Sequence, residues 1–130
     1  MKLKSLLLII FLSSFAVAQV KFEAKASKTQ LGVNERLRID FTMNEDGDNF
    51  TPPSFENFKV VGGPSQSINN SWINGVRSFS KSYTYFLSPT KRGTFSIGQS
   101  SIEIDGEVYK TSPIKITVLR TSPKSAPSQR

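Results

Sequence analysis

The sequence predicts an all-β fold, an antiparallel β-sandwich of about eight short strands, and three observations carry that prediction. Large apolar residues alternate with polar ones, most cleanly in Arg36–Met43 (RLRIDFTM), where Leu37, Ile39, Phe41 and Met43 share one face. Turn chemistry punctuates such stretches at a spacing of roughly 8–12 residues. No segment carries a helical period.

Taken in order, Val20, Phe22, Ala24 and Ala26 alternate with Lys21, Glu23 and Lys25 and give a first strand with one polar face. Lys28–Glu35 reads as a turn-rich connection bent at Gly32 and Asn34, and Arg36–Met43 as the second strand. Asn44–Pro53 reads as a polar loop. A short strand follows at Phe58–Val61, closed by Gly62-Gly63-Pro64, and then a mostly polar strand at Gln66–Ile73, suited to an exposed edge. Asn74-Gly75 is the strongest local signal, because a type I′ hairpin turn needs positive φ at both central residues.

The return strand Val76–Leu87 leads into Lys81–Ile104, which reads as strand, corner, strand, turn, strand. Tyr83, Tyr85 and Leu87 share a face, Pro89 removes a ladder donor, and Gly93 serves the corner. Phe95 and Ile97, then Ile102 and Ile104, resume the inward alternation. Asp105-Gly106 turns Ser101–Ile104 into Glu107–Lys110, and after Pro113 the last strand places Ile114, Ile116 and Val118 inward. This is an immunoglobulin-like arrangement without the cysteine pair and core tryptophan of antibody domains as a set. Trp72, beside the Asn-Gly turn, reads as a hairpin or surface aromatic.

The two ends of the chain differ from this pattern. Residues 1–18 have a positive start (Lys2, Lys4), an apolar run Leu6–Leu12 and the small residues Ala16-Val17-Ala18, so they read as a cleaved export signal with Gln19 as the mature N-terminus. The apolar run is too short for a bilayer span, which needs roughly 20 residues. Residues 19–119 form the domain, and residues 120–130 read as a disordered linker or stub, rich in Pro and Ser. With no cysteine there is no disulfide and no lipid-anchoring motif, which points to a bacterial periplasmic domain that relies on its core.

The net charge of +7 falls to +5 without Lys2 and Lys4, and to +2 once Arg120, Lys124 and Arg130 are also set aside. The twelve basic and ten acidic residues of 19–119 are intermixed, so no basic stripe marks a nucleic-acid partner. With no His and no Cys, most nucleophile–base pairs and transition-metal sites cannot be built, and no catalytic, cofactor or metal residue is assigned. Glu45-Asp46-Gly47-Asp48-Asn49 clusters oxygen ligands but lacks the spacing of a calcium loop. Tyr83, Tyr85, Phe86 and Trp72 could form an aromatic platform for sugar, although aromatics on strands more often pair across the sheet. A sandwich without a catalytic pocket works through its edges and loops, which favours a protein partner.

The ordered features resemble the N-terminal region of the BatD family, the periplasmic oxygen-tolerance (aerotolerance) proteins. The matching pieces are A-x-A-Q before V-x-F-x-A, then L-G-x-N-E-x-L-R-I-x-F (Leu31–Phe41) and P-P-S-F-E-N-F-x-V-V-G-G-P-S-Q-S (Pro52–Ser67). The Asn-Gly hairpin follows, then S-Y-T-Y-x-L-x-P-x-x-x-G-x-F-x-I (Ser82–Ile97) and I-x-I-D-G-x-x-Y-x-x-x-P-I-x-I-x-V (Ile102–Val118). The Pro52–Ser67 piece is the most specific, and the resemblance spans Gln19 to Leu119.

The resemblance implies a non-enzymatic, exported interaction module in an envelope complex linked to oxygen or stress tolerance. Its implied partners are the von Willebrand A-domain proteins of the same operon. Family members are longer, with further Ig-like domains and a C-terminal transmembrane helix. The 130-residue chain is therefore expected to be a fragment, a truncated reading frame or a short paralogue, membrane-attached only if a longer form carries such a helix. Von Willebrand A domains use a divalent metal that accepts a partner carboxylate. Glu45, Asp46 and Asp48 are the candidate donors, with Trp72 as a further partner-binding candidate. The alternative is a carbohydrate-binding or adhesin-like cell-surface sandwich.

Overall fold

The structure is a computed structural model and describes residues 19–121. The predicted export signal, residues 1–18, and residues 122–130 of the predicted linker lie outside the described residues. Strand β1 (Phe22–Ala26) is followed by β2 (Gln30–Gly32), β3 (Leu37–Met43), β4 (Asp48–Thr51) and the long β5 (Phe58–Ile73). Strand β6 (Val76–Pro89) returns beside β5, and β7 (Gly93–Ile97), β8 (Ser101–Ile104), β9 (Glu107–Lys110) and β10 (Ile114–Leu119) complete the fold. No helix occurs among the described residues.

The alternation in β3 sets the plan. Leu37, Ile39, Phe41 and Met43 are fully buried, while Arg38 is exposed and Asp40 and Thr42 are half-buried on the other face. Strand β3 lies between β1 and β6 in a four-stranded antiparallel sheet ordered β1-β3-β6-β5. The facing layer comprises β2-β10-β7 and β4-β8-β9, with β2 parallel to β10 and the other pairs antiparallel. Between the layers, Leu31, Ile97, Ile102, Ile116 and Val118 meet Phe22, Tyr85, Leu87 and the β3 residues in one apolar core. Each such side chain contributes about 1.5–3 kcal/mol through burial.

The two parts of the facing layer share a single hairpin. Ile97 lies opposite Ile114 and Ser101 opposite Lys110, so β7–β8 and β9–β10 keep one register across the interruption. There Thr111 N donates to Ser100 O at 3.0 Å, and Ser100 N donates to Thr111 Oγ1 at 3.0 Å. The two hydroxyls also bond to each other at 3.0 Å, which satisfies the polar atoms that the core encloses. Counting each interrupted strand once turns ten strands into eight. The all-β sandwich read from the sequence is the fold observed.

Three local expectations change. The connection Lys28–Glu35 contains β2, the loop Asn44–Pro53 contains β4, and the two strands expected at Phe58–Val61 and Gln66–Ile73 are one bulged strand. Strands β2 and β4 are three and four residues long and carry one large apolar residue each, Leu31 and Phe50, so no alternation could register. Phe50 stacks on Tyr83 with ring centroids 4.2 Å apart and planes 8° from parallel. Phe55, at φ 55°, is buried between Tyr85 and Phe41, with centroids 5.1 and 6.3 Å away. At the bulge, a Cβ on Gly63 (φ 89°) would stand 2.3 Å from the Thr84 carbonyl oxygen, so the chain can pass only as glycine.

Candidate functional site

Strand β3 supports β6 only from Leu87 to Lys81, where Lys81 lies opposite Met43. Past Lys81 the hairpin continues without β3, from the Asn69–Ser80 pair to Ile73–Val76 at the turn. This two-stranded ribbon extends about 17 Å past the sheet at the usual rise per residue. Asn74 (φ 53°) and Gly75 (φ 79°) close it in the left-handed conformation that a type I′ turn requires.

The phase of the strands decides what the ribbon displays. Leu87, Tyr85 and Lys81 point into the sandwich, and the same phase carried outward gives Phe79 and Arg77. Opposite them stand Gln66, Ile68, Asn70 and Trp72 of β5. The core-facing side of the sheet thus runs on beyond its core, and Ile68 and Trp72 are 56% and 68% exposed. Arg77 holds this face together: its guanidinium lies 5.2 Å from the Phe79 ring centroid, and its Nε donates to Asn70 Oδ1 at 3.3 Å. The opposite face carries Ser65, Ser67, Asn69 and Ser71, with Ile73 and Val76 at the tip.

The acidic loop meets the ribbon where it leaves the sheet. Lys81 Nζ donates to Asp46 Oδ1 at 2.9 Å and to the Gly47 carbonyl at 3.4 Å, and lies 5.6 Å from the Tyr83 ring centroid. The hydrogen bond that Lys81 donates to Asp46 raises the Lys81 pKa above its ordinary value, against the opposing effect of burial. Asn44, Glu45, Arg77, Ser78 and Phe79 line a groove of about 250 Å3 in the angle between loop and ribbon. Asn44 is fixed from behind, since its side chain accepts from Lys21 N at 2.8 Å and donates to Gln19 O at 2.9 Å.

Of the residues that the sequence singles out for partner binding, Glu45 lines this groove and Trp72 stands on the ribbon. Asp46 is committed to Lys81, although its side chain stays 66% exposed. Asp48 is drawn into β4 opposite Glu103. No three acids converge as a metal site among the described residues. The aromatic platform considered for sugar does not assemble: Tyr83 is covered by Phe50, Tyr85 is buried, and Phe86 lies on the other face of β6 from both tyrosines. Trp72 alone of the four stands on the ribbon.

Ile68, Arg77, Phe79 and Lys81 belong to this surface and were not anticipated from the sequence. The signal for them was present. A two-residue turn at Asn74-Gly75 fixes every cross-strand pair from Ile73–Val76 back to Ser65–Thr84, and the inward phase of Tyr83 and Tyr85 then selects which pairs share a face.

The family model described as the BatD DUF11-like domain matches residues 24–118, most of the chain. No curated protein matches it.

Proposed function

From the premise that this chain belongs to the BatD family, we propose that it is an exported, non-enzymatic interaction module of the bacterial envelope, working in a complex linked to oxygen or stress tolerance. The observation that carries this reading is the ribbon past Lys81, whose exposed Trp72, Ile73 and Val76, with Ile68 at its base, contribute nothing to the core. Apolar side chains kept out of the core on a projecting element favour contact with another macromolecule. The groove beside Glu45 gives such a contact a polar rim.

The proposed partners are proteins with von Willebrand A domains. Their bound divalent metal takes a carboxylate as a hard oxygen ligand. Glu45 suits that role better than Asp46, because Asp46 already holds the Lys81 ammonium. Asp48, which is exposed, is a second candidate metal ligand. The test is capture from solubilised envelope on the tagged chain, followed by mass spectrometry. Recovery of A-domain proteins that is lost on chelation and in Glu45→Ser supports the reading. Retention of cell-wall glycan alone would replace it with the carbohydrate-binding alternative.

A further inference from the structure

The sheet edges of this molecule are protected unequally. Strand β1 carries Glu23 and Lys25, β9 carries Glu107 and Lys110, β2 and β4 are very short, and the first half of β5 is bent by its bulge beside Pro64. Charges, shortness, bulges and proline are the usual means of keeping edges from pairing with another chain. The second half of β5, Ser65–Ile73 (SQSINNSWI), has none of them. It is nine residues long, uncharged and free of proline, and β6 is its only neighbour among the described residues.

The hairpin register identifies which backbone groups face outward. In a two-residue hairpin the pair next to the turn is hydrogen-bonded, so Ile73, Ser71, Asn69, Ser67 and Ser65 spend their N–H and C=O on β6. The backbone groups of Gln66, Ile68, Asn70 and Trp72 then point to the open edge. That set is self-complementary. With a two-fold axis at Asn69, an antiparallel copy places Ile68 opposite Asn70 and Gln66 opposite Trp72, all four of them outward-bonding positions. About eight backbone hydrogen bonds form, and no outward group between Gln66 and Trp72 is left over. Shifting the axis to Ile68 would set Trp72 against Pro64, which has no N–H. No charge meets a like charge, and Ile68 and Trp72 of both copies come onto one face.

We infer that residues 65–73 of β5 are a homodimerisation edge, pairing antiparallel with the same segment of a second copy to make one continuous sheet. The occupant is a second copy because the register closes on itself and the segment offers no charge for a different partner to read. This inference shares the ribbon with the envelope partner proposed above but engages the backbone edge of β5, whereas the metal contact engages Glu45. Sedimentation of the purified protein therefore tests it separately from envelope capture.

Sedimentation of the purified protein over a range of concentrations tests it. The parent protein is expected to show a reversible monomer–dimer equilibrium. Asn69→Lys places two ammonium groups opposite each other at the axis and should weaken the dimer by at least about tenfold. Asn69→Glu should do the same, and mixing the two variants should restore association as a heterodimer. Asn34→Lys, a charge on an exposed turn far along the chain, should leave the equilibrium unchanged. A parent that stays monomeric at every concentration, an Asn69→Lys variant as dimeric as the parent, or no recovery on mixing would each overturn the inference.

Discussion

Two long hairpins in this molecule follow the same local rules and reach different ends. The β7–β10 hairpin turns at Asp105-Gly106 (φ 51° and 82°), and the β5–β6 hairpin turns at Asn74-Gly75 (φ 53° and 79°). Both alternate, and both hold one register up to the turn. Near the first turn Ile102 is fully buried, whereas Trp72, near the second turn and on the core-facing side of its sheet, is exposed. The difference lies outside the hairpins. Ile102 has the other layer above it, while the ribbon of β5–β6 runs past the last residue of β3 that could support it. Alternation sets which way a side chain points, and burial depends on whether another layer is there to meet it.

That contrast can be broken at its covered side first. Ile102→Ala should cost about 2–5 kcal/mol in urea unfolding, as expected for a core isoleucine truncated in place. A cost near zero would mean that the first hairpin is covered no better than the second.

Lys81 stands at the boundary between the supported and unsupported parts of β6, and Lys81→Met should cost about 1 kcal/mol, a modest sum because its partner Asp46 is largely solvated. The folded state raises the Lys81 pKa above 10.5, chiefly through the hydrogen bond to Asp46. A raised pKa means that the folded protein binds this proton more tightly than the unfolded chain does. The contribution is therefore complete below pH 10.5 and is lost as pH rises through the folded value. Tyr85, raised above 10.0 chiefly by burial, acts with the same sign. Unfolding followed between neutral and strongly alkaline pH should show stability falling at the alkaline end, and less steeply in Lys81→Met.

The smallest effect belongs to the uncovered side. Trp72→Ala should change the unfolding free energy by no more than about 0.5 kcal/mol, as for a surface substitution, while reducing envelope capture. A large loss of stability would show that the indole is part of the fold and remove the contrast altogether.

The covered parts were the legible ones. Leu37, Ile39, Phe41 and Met43 could be placed from alternation alone, and both hairpin turns from their Asx-Gly pairs. What escaped needed a partner distant in sequence. Strand β2 is a strand because Leu31 and Gly32 run parallel to Val118 and Leu119, and no local pattern encodes that. Phe55 reads as a loop residue until Phe41 and Tyr85 are seen around it. At the candidate site, Glu45 and Trp72 were visible as residue types. The Lys81–Asp46 link, between residues 35 positions apart, is what joins the acidic loop to the ribbon, and it appears only in three dimensions.

The clamp that Asn44 places on residues 19 and 21 bears on mechanics as well. It ties the incoming chain at the ribbon end, beside the Phe22–Met43 pair, whereas Leu119 finishes at the other end, its carbonyl held by Val33 N at 2.8 Å. A pull between these two points runs along the strands and not across them. The β1–β3 ladder would be loaded in shear, so its hydrogen bonds share the force and do not peel apart one at a time. Such a domain transmits tension along its length, with the ribbon standing at one pole.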